Sequence, residues 1–110
     1  MNIFQMKKKY PQSTLIINPK GTFFKSKKIY SYVEPGDVVK FVHTPVPDID
    51  EDAISMIIYK DGEELNIGFV AKELTSEIIN ELEQWSGIVQ DVKIPEKKNP
   101  VVDVVLEYLD

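Results

Sequence analysis

Short β-branched or alternating apolar runs recur along the chain, each closed by residues that turn or stop a strand. Val38–His43, Ile54–Lys60, Leu65–Val70 and Val101–Tyr108 read as strands. In the last of these, Val102, Val104, Leu106 and Tyr108 make one apolar face, while Asp103 and Glu107 mark the opposite face. Asp61-Gly62 joins the second and third runs and predicts a tight hairpin, because both residue types tolerate the positive φ that such a turn needs. Three further strands are expected at Thr14–Ile17, Lys28–Val33 and Ile88–Ile94, and Thr22–Phe24 reads as extended. Asn18-Pro19-Lys20-Gly21 and Glu34-Pro35-Gly36-Asp37 close the first two of these, and Pro95 to Pro100 separates the third from the final strand. Thr44-Pro45-Val46-Pro47 cannot continue a ladder, since proline has no donor, so a loop follows His43.

One segment changes period. Leu74, Ile78, Leu82 and Trp85 step by four, four and three, which predicts a single amphipathic helix over about 74–85, with Thr75 or Ser76 as N-cap and Gly87 at its end. Many short strands with one helix predict a mainly β fold, a small OB-like β-barrel of about six or seven strands. With 110 residues the chain has room for one such unit, so residues 1–110 form a single domain. A hydrophobic content of 43% with 28% charged residues excludes a disordered chain. No apolar run approaches the length of a membrane span or signal peptide, so a cytoplasmic protein without membrane contact is expected.

The formal charge of −5 at first disfavours nucleic acid, but its distribution reverses that impression. Lys7, Lys8, Lys9, Lys20, Lys25, Lys27 and Lys28 all precede the first acid, Glu34, so residues 1–33 carry +7 and residues 34–110 carry −12. Six of the eleven aromatics, Phe4, Tyr10, Phe23, Phe24, Tyr30 and Tyr32, lie in the same basic third. Lysines interleaved with rings suit single-strand binding, the ammonium groups following phosphates and the rings stacking on unpaired bases. The competing reading is that these rings alternate into the core and the lysines solvate the outer face. Every cation is a lysine, so bidentate guanidinium grips are excluded.

Catalytic and metal-binding patterns are sparse. There is no cysteine, and the lone histidine, His43, rules out a multi-histidine site. Asp48-Ile49-Asp50-Glu51-Asp52 resembles the start of a calcium loop, but position six would be Ala53 and position twelve Tyr59, where glycine and glutamate are required. No Gly-x-Ser-x-Gly elbow, Walker motif or Gly-x-Gly-x-x-Gly occurs. A non-catalytic chain without cofactor or metal is expected, with Mg²⁺-dependent hydrolysis through the Asp48–Asp52 acids as the residual enzymatic reading.

Pro35-Gly36-Asp37 precedes a strand, Pro45, Asp50, Ala53 and Ile54 follow it, and Asp61-Gly62 and Ile67-Gly68-Phe69-Val70-Ala71-Lys72-Glu73-Leu74 come next. In this order residues 28–108 resemble a HIRAN domain, the OB-like module of some fork-remodelling helicase-like ATPases and of stand-alone bacterial proteins. Pro45, Asp50, Ala53 and Ile54 match the family's Glu-Pro-x-Asn-Pro-Tyr-Asp-x-Asn-Ala-Ile stretch. The resemblance implies capture of single-stranded DNA or DNA ends and a role in DNA repair, with Asp50 at the terminal hydroxyl and Lys72 near phosphate. Ile49 stands where the family has tyrosine, Asp52 where it has asparagine, and Phe69 where eukaryotic members have histidine. Lys27 and Lys28 fall near the family's Arg-Tyr pair, with Tyr30 and Tyr32 as substitute rings. The expected interface is therefore Lys27, Lys28, Tyr30, Tyr32, Asp50, Phe69 and Lys72. Docking of a protein partner, or a homo-oligomer, through a barrel edge or the helix flank is the alternative.

Overall fold

A computed structural model describes residues 1–109. Six strands form one antiparallel sheet in the order β1-β6-β5-β2-β3-β4. They are β1 (Ile16–Ile17), β2 (Val38–His43), β3 (Ile54–Lys60), β4 (Glu63–Phe69), β5 (Trp85–Lys93) and β6 (Val101–Tyr108). The hydrogen-bonded ladder is open, with β1 and β4 at its two edges. One isolated bridge spans the gap: Lys20 N–H donates to the Phe69 carbonyl (2.7 Å), and Phe69 N–H donates to the Lys20 carbonyl (2.9 Å). Among the described residues no helix is long and apolar enough to cross a membrane.

The hairpin expectation holds in detail. Asp61 and Gly62 both adopt positive φ (53° and 78°), and Lys60 pairs with Glu63 across a two-residue turn. The Pro35-Gly36 turn also forms, and it is tied into β5 because Gly36 N–H donates to the Val89 carbonyl at 2.8 Å and Val89 N–H to the Asp37 carbonyl at 2.9 Å. β6 buries Val102, Val104 and Leu106, the face that alternation requires.

Helical content departs from expectation at four places. Asn2-x-x-Gln5 is a reciprocal capping box, with both bonds at 3.0 Å, and it starts α1 (Ile3–Lys9). This helix drops Phe4 into the core, edge-on to Trp85 at 5.0 Å between ring centroids. Thr22–Phe24 is a 3₁₀ turn, entered through Gly21 in the left-handed region, and is not extended. Lys28–Val33 is no strand: Ser26 accepts from Lys28 N–H and caps α2 (Lys27–Tyr30), after which the chain turns.

The single helix over 74–85 is three short pieces instead, a 3₁₀ turn at Lys72–Leu74, α3 (Thr75–Ile78) and a 3₁₀ turn at Ile79–Gln84, broken at Glu81. Thr75 does not cap it as expected, because its hydroxyl donates backward to the Lys72 carbonyl (3.0 Å). Trp85 belongs to β5, buried between Phe4 and Tyr108. Gly87 likewise lies inside β5 instead of ending a helix, and a side chain there would collide with Val104. A stripe spaced by three and four thus buries itself here through tight turns, because burying Ile78 and Trp85 on the sheet outweighs the weak gain of a continuous short helix.

Candidate nucleic-acid interface

The expected interface residues divide between the two ends of β4, about 20 Å apart for a seven-residue strand. At the hairpin end, α2 packs on β4 and sends Tyr30 inward. The Tyr30 ring is fully buried, and its hydroxyl donates to the Ile67 carbonyl at 2.9 Å. Burial disfavours the phenolate and pushes its pKa up to about 12. Tyr30 is a core anchor with no open face for a base. Lys27 is also engaged, its ammonium donating to the Pro95 and Glu96 carbonyls at 2.7 and 2.9 Å.

Lys28 and Tyr32 remain exposed and line a groove of about 570 Å³ with Ser31, Lys60 and Leu65. Glu34, Asp61 and Glu63 line the same groove, so its charge is mixed. Lys60 donates to the Tyr32 carbonyl (3.0 Å) and Asp37 (3.1 Å), and pairs with Glu34 (3.4 Å). Desolvation works against its charge, but the Asp37 and Glu34 carboxylates outweigh that and hold its pKa above the usual lysine value. Its ammonium staples the Pro35-Gly36 turn to the hairpin.

At the other end of β4, the sequence brings three segments together. The 44–53 loop leaves and rejoins the sheet there, with Thr44 N–H donating to the Ala53 carbonyl (2.9 Å) and Ser55 standing opposite Phe69. The 18–25 segment arrives through the Lys20–Phe69 bridge. Gly68 permits this approach, since it sits at φ 137° and an added Cβ would lie 2.6 Å from the Lys20 carbonyl oxygen and 2.7 Å from Pro19 Cβ. The glycine of the Ile67-Gly68-Phe69 motif therefore has a packing reason. Lys72 opens the next turn and is exposed.

Two rings project from this end. Phe23 and Phe24 are 61% and 78% exposed, with centroids 3.9 Å apart, so two adjacent rings are left in solvent. Lys25 holds its ammonium 5.4 Å from the centroid of the half-buried Phe69 ring. Lys20 is exposed on the same segment. Phe23, Phe24, Lys20 and Lys25 were not among the expected interface residues. The available signal was the doublet itself: in the extended reading given to Thr22–Phe24, neighbouring side chains point to opposite faces, so two adjacent phenylalanines could not both be buried.

Asp50 lies in a tight turn of the 44–53 loop. Val46 and Asp50 form a bridge, Asp48 takes φ 63°, and the Asp50 carboxylate accepts from Asp52 N–H at 3.1 Å. Ile49 at the tip is 77% exposed. His43 steadies the loop, its ring nitrogen donating to the Glu51 carbonyl (2.6 Å). Among the described residues no three histidine or acidic side chains gather at metal-binding distance.

The seven early lysines do not share one surface. Lys7 is buried and donates to the Ser13 carbonyl, and Lys8 pairs with Glu81 at 3.0 Å. Lys27 is bound as described, Lys28 faces the hairpin groove, and Lys20 and Lys25 flank Phe69. A scan against protein-family models, a search of the curated proteins and a search of the solved structures match nothing to this chain.

Proposed function

We propose that the chain is a non-catalytic module that binds single-stranded nucleic acid at the Phe69 end of β4. One observation carries this reading: the exposed Phe23–Phe24 pair stands on the segment whose Lys25 covers the Phe69 ring. Exposed rings offer stacking faces to unpaired bases, and Lys20, Lys25 and Lys72 supply point charges for the phosphates between them. The 48–52 acids, on the loop that leaves and rejoins the sheet at this end, repel a strand that strays toward them.

The HIRAN-like motif supports the same end of the sheet, since Asp50, Phe69 and Lys72 all lie there. A curled sheet whose edges are drawn together by the Lys20–Phe69 bridge favours the OB-like reading of the fold. On this reading the free oxygen of Asp50 is the group available to a terminal 3′-hydroxyl.

Fluorescence anisotropy with short oligonucleotides at low salt tests the proposal, using free and phosphate-blocked 3′ ends. Saturable binding that weakens with added salt is expected, with the free end preferred. No binding at any accessible protein concentration would overturn it, and equal binding of both ends would remove the role of Asp50.

A further inference from the structure

A second surface lies on the outer face of the sheet, away from the rings of the Phe69 end. Register places Val38 opposite Ile88, Ile88 opposite Val105, and Val105 opposite Ile16. Residues directly opposite share a face, so these four apolar side chains form one row across β2, β5, β6 and β1. Val38, Ile88 and Ile16 are 49%, 40% and 41% exposed, and Val105 is half-buried. The inward residues alternating with them, Val39, Val89, Val104 and Leu106, are buried in the core. The row is thus apolar surface that the fold itself leaves uncovered.

The neighbouring row on that face is polar and ordered by charge. Lys40 on β2 stands opposite Ser86 on β5, and Ser86 stands opposite Glu107 on β6. Lys40 and Glu107 are therefore two strand spacings apart, about 10 Å, on either side of Ser86. Among the described residues neither has an ion-pair partner. On the other side of the apolar row, Asp103 stands opposite Asp91, which bounds it with like charges.

We propose that this face associates with a second copy of the chain, the two sheets stacking about a twofold axis that runs along β5. A rotation about that axis keeps each residue in its row and exchanges β2 with β6. Ile88 then meets Ile88 of the second copy, Val38 meets Val105, and Lys40 meets Glu107 on both flanks. The row is complementary to itself in shape class and in charge, the condition for an isologous contact. On the Asp91–Asp103 side the axis brings Asp91 toward its own copy, where Lys93, 4.0 Å from Asp91, offsets the like charge. A second copy fits this face because the Lys40–Ser86–Glu107 order matches its own reversal.

Sedimentation of the full chain over micromolar to millimolar concentrations tests this, and a concentration-dependent dimer is expected. Lys40→Glu and Glu107→Lys should each abolish it, because each puts like charges together at both flanks. Mixing the two single variants should restore a dimer, since every flank then regains an opposite pair. Ile88→Asp should give a monomer with an unchanged circular dichroism spectrum. The chain has no cysteine, so Ile88→Cys should cross-link to itself with a short bismaleimide, whereas Phe24→Cys should not. A chain that stays monomeric, a mixture no more associated than its components, or a dimer indifferent to Ile88→Asp would overturn the proposal. None of these results bears on oligonucleotide binding, which is read separately by anisotropy.

Discussion

The two ends of β4 use the same residue types to opposite effect. At the hairpin end, Lys27, Lys60 and Tyr30 are consumed by the fold: two ammonium groups hold loop carbonyls or carboxylates, and the ring fills the core. At the Phe69 end, Phe23 and Phe24 stand in solvent, and Lys25 rests on a ring without an acidic partner among the described residues. The same lysine and aromatic composition thus makes scaffold in one place and an open surface in the other. What separates them is whether a carbonyl or carboxylate stands within reach, which depends on the fold and not on the count of lysines.

Gly68→Ala should break this comparison most severely. It strains a φ of 137° and drives a methyl group into Pro19 and the Lys20 backbone, so a loss of about 3 kcal/mol is expected in urea unfolding. Oligonucleotide binding should fall with it, as the 18–25 segment detaches. Phe24→Ala sharpens the contrast from the other side: stability should hold, while binding weakens by about 1–3 kcal/mol, the worth of one base stack.

Tyr30→Phe should do the reverse. Removing the bond to the Ile67 carbonyl costs about 1 kcal/mol of stability and leaves binding intact. Because burial raises the folded-state pKa of Tyr30 from the ordinary tyrosine value of about 10 to about 12, its contribution is fully present below about 10. It is lost as pH climbs from 10 through about 12, so the native chain should lose stability across that window more steeply than Tyr30→Phe in parallel denaturant titrations. The smallest effect separates two lysines: Lys25→Ala should reduce the salt slope of binding by about 0.7, one phosphate contact, whereas Lys28→Ala changes it less. Equal slopes for both variants would erase the distinction between the ends.

Strands β2, β3, β4 and β6 were legible in the sequence because alternation and turn chemistry are local, as the Asp61-Gly62 turn shows most clearly. The short helices were not. Four residues at Lys27–Tyr30 cannot hold a helix alone, and Tyr30 forms one only because its ring finds the core and its hydroxyl finds Ile67. Trp85 misled for a related reason, since a helical spacing to Leu82 coincides with the first inward position of β5. Of the candidate site, Asp50, Phe69 and Lys72 lie on segments that strand pairing brings to one end of the sheet. Phe23, Phe24 and Lys20 join them only through a backbone bridge between segments remote in sequence, which no local pattern encodes.

That bridge also gives the 18–25 segment a clasp of its own, which lets it lift as a flap. Its two amide protons, on Lys20 and Phe69, are protected by each other's carbonyls and by nothing else in the ladder. Whenever the flap lifts, both are released in the same event, so in deuterated solvent they should exchange at one common rate while the β5–β6 amides stay protected. A pair of protons thus times the opening of the surface on which the proposed binding depends.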